Sequence, residues 1–199
     1  NLREIVFLGN KPTQLADKIF SGISSEAIIR IQEKSRGFGS FFQGIPVSVM
    51  ASVVDFVTEG GVKYLIHDGA ALVVGYDSRA SINVNIPEEI EGLPVTSIGN
   101  ECFRECTNLE TVKLPINDEF KVIGENVFYG TSISEIIIPD SVEVIGSQAF
   151  CDCTSLGNVK FPDNRRFTRI NFSTFSNSAI EQITIPDWVE NIHYGAFAA

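Results

Sequence analysis

Catalytic bases are scarce in this chain: its 199 residues contain two histidines, His67 and His193. Nucleophilic catalysis of the Ser-His-Asp or Cys-His kind needs an imidazole beside the nucleophile. The two histidines fall in different structural units of the pattern set out below, so neither arrangement can be assembled. No carboxylate pair is placed in an apolar setting either, and the chain is expected not to be an enzyme. Cysteine is limited to Cys102, Cys106, Cys151 and Cys153. Neither Cys102-x₃-Cys106 nor Cys151-Asp152-Cys153 is completed by a further pair or by histidines into a structural zinc site, so no metal is expected. Gly37-Phe38-Gly39 has no following helix pattern or lysine, which removes a phosphate loop and leaves no cofactor implied.

Long apolar runs are also lacking. The best, Ile45 to Val54, contains a proline and two serines and is about half of the ~20 residues a membrane span needs. Membrane insertion by this segment is not expected. No signal peptide opens the chain. It begins inside a repeat strand and stops in mid-arc, the expectation being a piece of a longer protein, so targeting decides nothing. Basic side chains are outnumbered, 15 Lys and Arg against 25 Asp and Glu, for a net charge of −10. Residues 1 to 60 are balanced, with six of each sign; the excess acid lies in residues 61 to 199. Such a surface repels phosphate backbones, which makes nucleic acid a poor partner.

What is present is a core and a repeat. With 44% hydrophobic residues the chain can bury a sizeable interior and is not disordered. From Leu109 onward one pattern, L/I-x-x-V/I-x-L/I/F-P, is written four times. The copies are Leu109, Val112, Leu114, Pro115; Ile133, Ile136, Ile138, Pro139; Leu156, Val159, Phe161, Pro162; and Ile180, Ile183, Ile185, Pro186. The arcs between them pair Ile123 with Phe128, Ile145 with Phe150, Ile170 with Phe175 and Ile192 with Phe197. The prolines recur after 24, 23 and 24 residues, a solenoid period. Copies two apart match best: Cys106, Leu109, Lys113, Phe120 and Phe128 return as Cys153, Leu156, Lys160, Phe167 and Phe175, each 47 residues on. A pair of coils is the unit of duplication.

Side-chain geometry explains why the pattern coils. A period of two turns Val112 and Leu114 to one face and Thr111 and Lys113 to the other. Proline, lacking an N–H, closes the strand. The arc after it, Pro139 to Phe150, turns Val142 and Ile145 inward and ends in a short 3₁₀ or helical turn. One coil cannot cover its own apolar side, whereas stacked coils share a core.

Ile138-Pro139-Asp140-Ser141-Val142, Ile145-Gly146, Ala149-Phe150, Cys153 and Leu156 resemble, almost position for position, the BspA-like class of leucine-rich repeats. The resemblance covers residues 86 to 199 strongly and 1 to 47 loosely. It rests on core and turn positions, so it speaks to fold more than to function. The fold class expected is mainly β: a leucine-rich-repeat parallel β solenoid with 23–24-residue coils and a β-hairpin cap at a junction.

Four segments follow. Residues 1–47 read as the closing coils of an upstream array: Leu2, Ile5 and Phe7 form a strand, Ile19-Phe20-Ser21-Gly22 an arc, Ala27 to Ile31 a further strand, and Arg36 to Pro46 an aromatic cover. Residues 48–60 read as a connection with β character. Residues 61–85 hold the hairpin, Lys63 to His67 and Ala70 to Gly75 flanking Asp68-Gly69, the strongest hairpin signal in the chain. Residues 86–199 are the BspA-like array.

The remaining candidates are on the surface. The outward strand positions are Thr111, Lys113, Glu135, Ile137, Asn158, Lys160, Gln182 and Thr184, and stacking sets Lys113, Ile137, Lys160 and Thr184 in one ladder. An isoleucine between two lysines suits a protein contact. Trp188 is expected to face out or to lie at the array's end. Arg165, Arg166 and Arg169 form the one basic patch on an acidic array, a possible docking point. Cys106 and Cys153 share a repeat position two coils apart, ~9.6 Å at the strand spacing, beyond the ~7 Å a disulfide spans. Thr131 and Ser178 hold that position in the other coils, which reads as packing by buried thiols.

The resemblance implies a cell-surface or secreted protein that binds host or extracellular-matrix proteins in adhesion. The residues themselves support only an exposed face without catalytic groups. The alternative is a structural spacer that presents another domain. Glycan binding ranks last, because the outward strand positions hold no aromatic side chain. Oligomeric state is left open.

Overall fold

The computed structural model describes residues 56–198 in full, the backbone of Asp55 and, within the first 54 residues, the backbone of four strands. These are β1 (Glu4–Phe7), β2 (Ile28–Ile31), β3 (Phe41–Phe42) and β4 (Ile45–Val49), in the order β1-β2-β4-β3. β1 pairs with β2 in parallel, Glu4 opposite Ile28, a separation equal to one coil of the later array. The arc at Ile19–Gly22 and the glycine-rich stretch at Arg36–Gly39 lie outside the described residues. The chain divides into two compact units, Asn1–Val54 and Asp55–Ala199.

The second unit opens with β5 (Asp55–Glu59), β6 (Val62–His67) and β7 (Ala70–Tyr76), consecutive antiparallel neighbours. β5 lies within the stretch read from sequence as a connection. Asp68 and Gly69 both take positive φ, 47° and 76°, as a two-residue turn between right-twisted strands requires. Then follow β8 (Asn83–Asn85), β9 (Glu89–Ile90), β10 (Leu93–Ile98), β11 (Thr111–Lys113), β12 (Val122–Ile123), β13 (Glu135–Ile137), β14 (Val144–Ile145), β15 (Asn158–Lys160), β16 (Arg169–Ile170) and β17 (Asn191–Ile192). They wind into a parallel β solenoid of about 5 turns with ~24-residue coils. β7 pairs in parallel with β10, so the hairpin's last strand is the first rung of the solenoid. Val62, Tyr64, Ala71 and Val73 turn inward from the hairpin and cover the end of the core. Among the described residues no helix is long and apolar enough to cross a membrane.

Each coil has two strand faces. β8, β11, β13 and β15 make the first; β10, β12, β14, β16 and β17 the second. Leu109, Val112 and Leu114, then Ile133, Ile136 and Ile138, point in from the first face, and Ile123, Ile145 and Ile170 from the second; all are buried. Between the faces runs a column of aromatic rings. Tyr76, Phe103, Phe128, Phe150, Phe175 and Phe197 follow one another at centroid distances of 5.0, 5.2, 5.3, 5.3 and 5.5 Å.

The column is held by the arcs, where the short 3₁₀ or helical turn expected from sequence is a chain of single i→i+3 turns that does not continue as a helix. Tyr129 N donates to Asn126 O and Thr131 N to Phe128 O, an i→i+3 pattern. Asn126 and Gly130 take positive φ, as do Gln148 and Asp152 one coil later and Ser173 and Asn177 after that. A left-handed residue at every fourth position prevents helix propagation and frees alternate amides. Those of Asn126, Phe128 and Gly130 donate to Ser147, Ala149 and Cys151 of the next coil, and those of Gln148, Phe150 and Asp152 to Phe172, Thr174 and Ser176. The arc ladder therefore runs unbroken from Glu101 to Ala198.

The strand ladders do break. On the second face β7, β10, β12 and β14 pair in succession and β16 pairs with β17, but β14 and β16 do not pair. The cause is a side chain. Gly99, Gly124 and Gly146 occupy one position in successive coils, and a Cβ on Gly146 would lie 2.5 Å from Gly124 C. Asn171 holds that position in the next coil, and its Nδ2 donates to Ile145 O at 2.6 Å in place of a backbone amide. On the first face β8 pairs with β11 and β13 with β15, with no pairing between β11 and β13. The 47-residue period explains this alternation. The return Cys106-Thr107-Asn108-Leu109 and its copy Cys153-Thr154-Ser155-Leu156 lead into strands that pair backward. The returns Thr131-Ser132-Ile133 and Ser178-Ala179-Ile180 are one residue shorter and lead into segments that do not. One residue of extended chain is ~3.3 Å, against ~4.8 Å between paired strands, enough to take the following segment out of register.

Candidate functional site

The eight outward strand positions all lie exposed on the first face. β13 and β15 set Glu135 opposite Asn158 and Ile137 opposite Lys160. Thr111 and Lys113 belong to the other pair: Thr111 stands opposite Asn83, its Oγ1 2.6 Å from Asn83 Oδ1. Gln182 and Thr184 follow in space but form no strand. The expected ladder from Lys113 to Thr184 thus contains one paired rung, Ile137 with Lys160, while Lys113 pairs with Asn85 and Thr184 lies in no strand. Ile137 is 63% exposed, the most open core-type side chain on this face.

Six of these residues share one feature. Glu135, Ile137, Asn158, Lys160, Gln182 and Thr184 line an open concavity of about 910 Å³ that runs over β13, β15 and residues 182–184. Trp188 and Pro186 form its far wall. Trp188 is half-buried, and its Nε1–H is buried without a hydrogen-bond partner among the described residues. An indole at this rim was not visible in the strand pattern, because Trp188 belongs to the arc after Pro186. Only stacking of the arcs carries it there.

A family model for the BspA type leucine rich repeat region (6 copies) matches residues 76–199. The chain belongs to the BspA-type leucine-rich repeat family. A leucine-rich repeat protein from Bacteroides capillosus is 31% identical over 69% of this chain and 87% of that one, with a TM-score of 0.43. A second, from Bacteroides ovatus, is 24% identical over 72% and 50%, with a TM-score of 0.43. The pneumococcal vaccine antigen PcpA is 16% identical over 73% of this chain and 48% of its own, with a TM-score of 0.57, a likeness of fold. This chain spans about half the length of those last two proteins. No curated protein matches it.

In this BspA-type array the arginine cluster is partly engaged. Arg166 Nη1 lies 2.7 Å from Glu143 Oε1, which Lys121 Nζ also approaches at 3.4 Å, tying three coils together. The Arg166 guanidinium holds the Glu143 carboxyl below its ordinary value. Arg165 and Arg169 stand exposed nearby. All four cysteines are buried thiols. Burial pushes Cys102 and Cys153 up to about 11, and Cys153 Sγ donates to Phe128 O at 2.9 Å, a packing contact between coils.

Proposed function

We propose that this BspA-type array is a non-catalytic protein-interaction module of a cell-surface or secreted protein, with adhesion to a host or matrix protein as its task. One observation carries the reading: Glu135, Ile137, Asn158, Lys160, Gln182 and Thr184 converge on one open concavity. Protein contacts favour an exposed apolar side chain ringed by polar ones, and Ile137 beside Lys160 supplies that arrangement.

The unbroken column of rings and arc hydrogen bonds favours a second reading, a stiff spacer. A panel of extracellular-matrix and host-surface proteins, tested against the chain and its Lys113→Ala, Ile137→Ala, Lys160→Ala triple variant, separates the two. An interaction module binds saturably and loses the partner in the variant. Absence of binding to every panel member favours the spacer.

A further inference from the structure

The chain segments that build the concavity carry an excess of one charge. Residues 134–140, 157–163 and 181–188 hold Glu135, Asp140, Asp163, Glu181 and Asp187 against the single cation Lys160. All six are exposed, and none joins an ion pair among the described residues. Asp140, Asp163 and Asp187 each follow the proline that ends a strand segment, so the stacking of coils sets them in a column along one margin. Asp163 N donates to Asp140 Oδ1 at 2.9 Å, which fixes the first two of them side by side. The arginines beyond Asp163 do not offset this charge: Arg166 is held by Glu143, and Arg165 does not line the concavity.

Carboxylates left unneutralised around a concave surface attract a cation and repel an anion. The net charge of −10 acts in the same direction at longer range. The lining between these carboxylates is apolar. Ile137 stands exposed, Val159 and Ile183 are half-buried, and Trp188, its N–H buried, lends carbon surface to the far wall. A bare metal ion needs several oxygens within one coordination sphere, and no such group is present among the described residues. Lysine and arginine side chains meet both parts of the lining. Their aliphatic stems cover apolar surface while the charged heads stay at the rim, and an indole accepts either head over its face.

Resting on the interaction reading above, we infer that the concavity takes a basic segment of a protein partner. The segment crosses β13, β15 and residues 182–184, ~10 Å at two strand spacings, which about three residues of extended chain span. Its Lys or Arg heads meet Glu135 and Asp163, their stems lie on Ile137 and Trp188, and an uncharged residue passes Lys160. An acidic segment of the same shape is repelled, so charge selects the partner.

The probe is a fluorescein-labelled hexapeptide of alternating Lys and Val, titrated with the full chain by fluorescence anisotropy. A peptide with Glu in place of Lys serves as the comparison. Saturable binding of the Lys peptide below ~1 mM is expected, weakened at least ~3-fold by Glu135→Gln combined with Asp163→Asn and further when salt is raised from ~50 to ~500 mM. Glu101→Gln combined with Glu125→Gln removes the same charge from exposed positions outside the concavity. That pair should change binding less than ~1.5-fold. Lys160→Ala removes the one opposing charge and should tighten the probe about 2-fold, which puts the loss expected in the triple variant on Ile137. Circular dichroism reports the fold of each variant, and the Glu peptide needs no change to the protein. Equal binding of the two peptides, no binding below ~1 mM, or equal weakening by both amide pairs overturns the basic segment. If a panel protein still binds and is lost in the triple variant, the interaction face stands with a partner of other chemistry. Absence of both kinds of binding overturns the two readings together.

Discussion

Replacing Phe150 by alanine tests the solenoid where its coils are coupled most tightly. The ring is fully buried, stacked at 5.3 Å on Phe128 and at 5.3 Å on Phe175, while its amide donates to Thr174 O. Deleting a buried phenylalanine costs ~3–5 kcal/mol through lost transfer energy and the cavity left behind. Of that, each lost ring pair accounts for ~0.5–1.5 kcal/mol. Phe197 has one stacked neighbour and is 37% exposed, so Phe197→Ala is expected to cost ~1–2 kcal/mol. In a solenoid the coils are held by nearest-neighbour contacts, so an interior deletion also lowers cooperativity. Guanidinium unfolding followed by far-UV circular dichroism reports the whole array, and the fluorescence of Trp188 reports the last coil. Phe150→Ala should shift both signals and move the tryptophan transition ahead of the dichroism. A loss under ~1 kcal/mol with coincident transitions would refute the ring column as the coupling element.

The glycine column supplies a sharper contrast. Gly146→Ala places a Cβ 2.5 Å from backbone and should cost ~1–3 kcal/mol or more, whereas Gly157→Ala, whose nearest contact is 3.7 Å, should be neutral or up to ~1 kcal/mol stabilising in thermal melts. Asp152 is held below its ordinary value by hydrogen bonds from Tyr129 and Asn177. Its folded value being depressed, it contributes stability above the ordinary aspartate range and loses it as pH falls through the folded value. Asp152→Asn should therefore flatten the acid limb of the stability profile, and an unchanged limb would remove Asp152 from the account. Cys102 and Cys153, pushed up by burial, should not react with a disulfide reagent at pH 8 until the chain is unfolded; rapid labelling of the native chain would contradict their burial.

Much of this architecture is legible in the sequence because the repeat imposes local consistency. Leu109, Val112 and Leu114 turn inward for the same reason in every coil, and Asp68-Gly69 admits few conformations besides a tight turn. The arcs were less legible. Positive φ at Asn126, Gln148 or Ser173 follows no single residue type, since the position is filled by a different polar side chain in each coil wherever the next coil accepts the freed amides.

The sequence by itself determined the coil length, the inward side chains and the two-coil period, because these follow from side-chain alternation along a strand and from the spacing of proline and phenylalanine. Only the tertiary structure decided where neighbouring coils hydrogen-bond and where they part. Pairing requires two segments to arrive in register within a fraction of a residue. That depends on the length of the return before each strand and on single contacts such as Asn171 against Ile145. The concavity over β13, β15 and residues 182–184 and the place of Trp188 on its rim arise from the stacking of neighbouring coils, a property no single coil possesses.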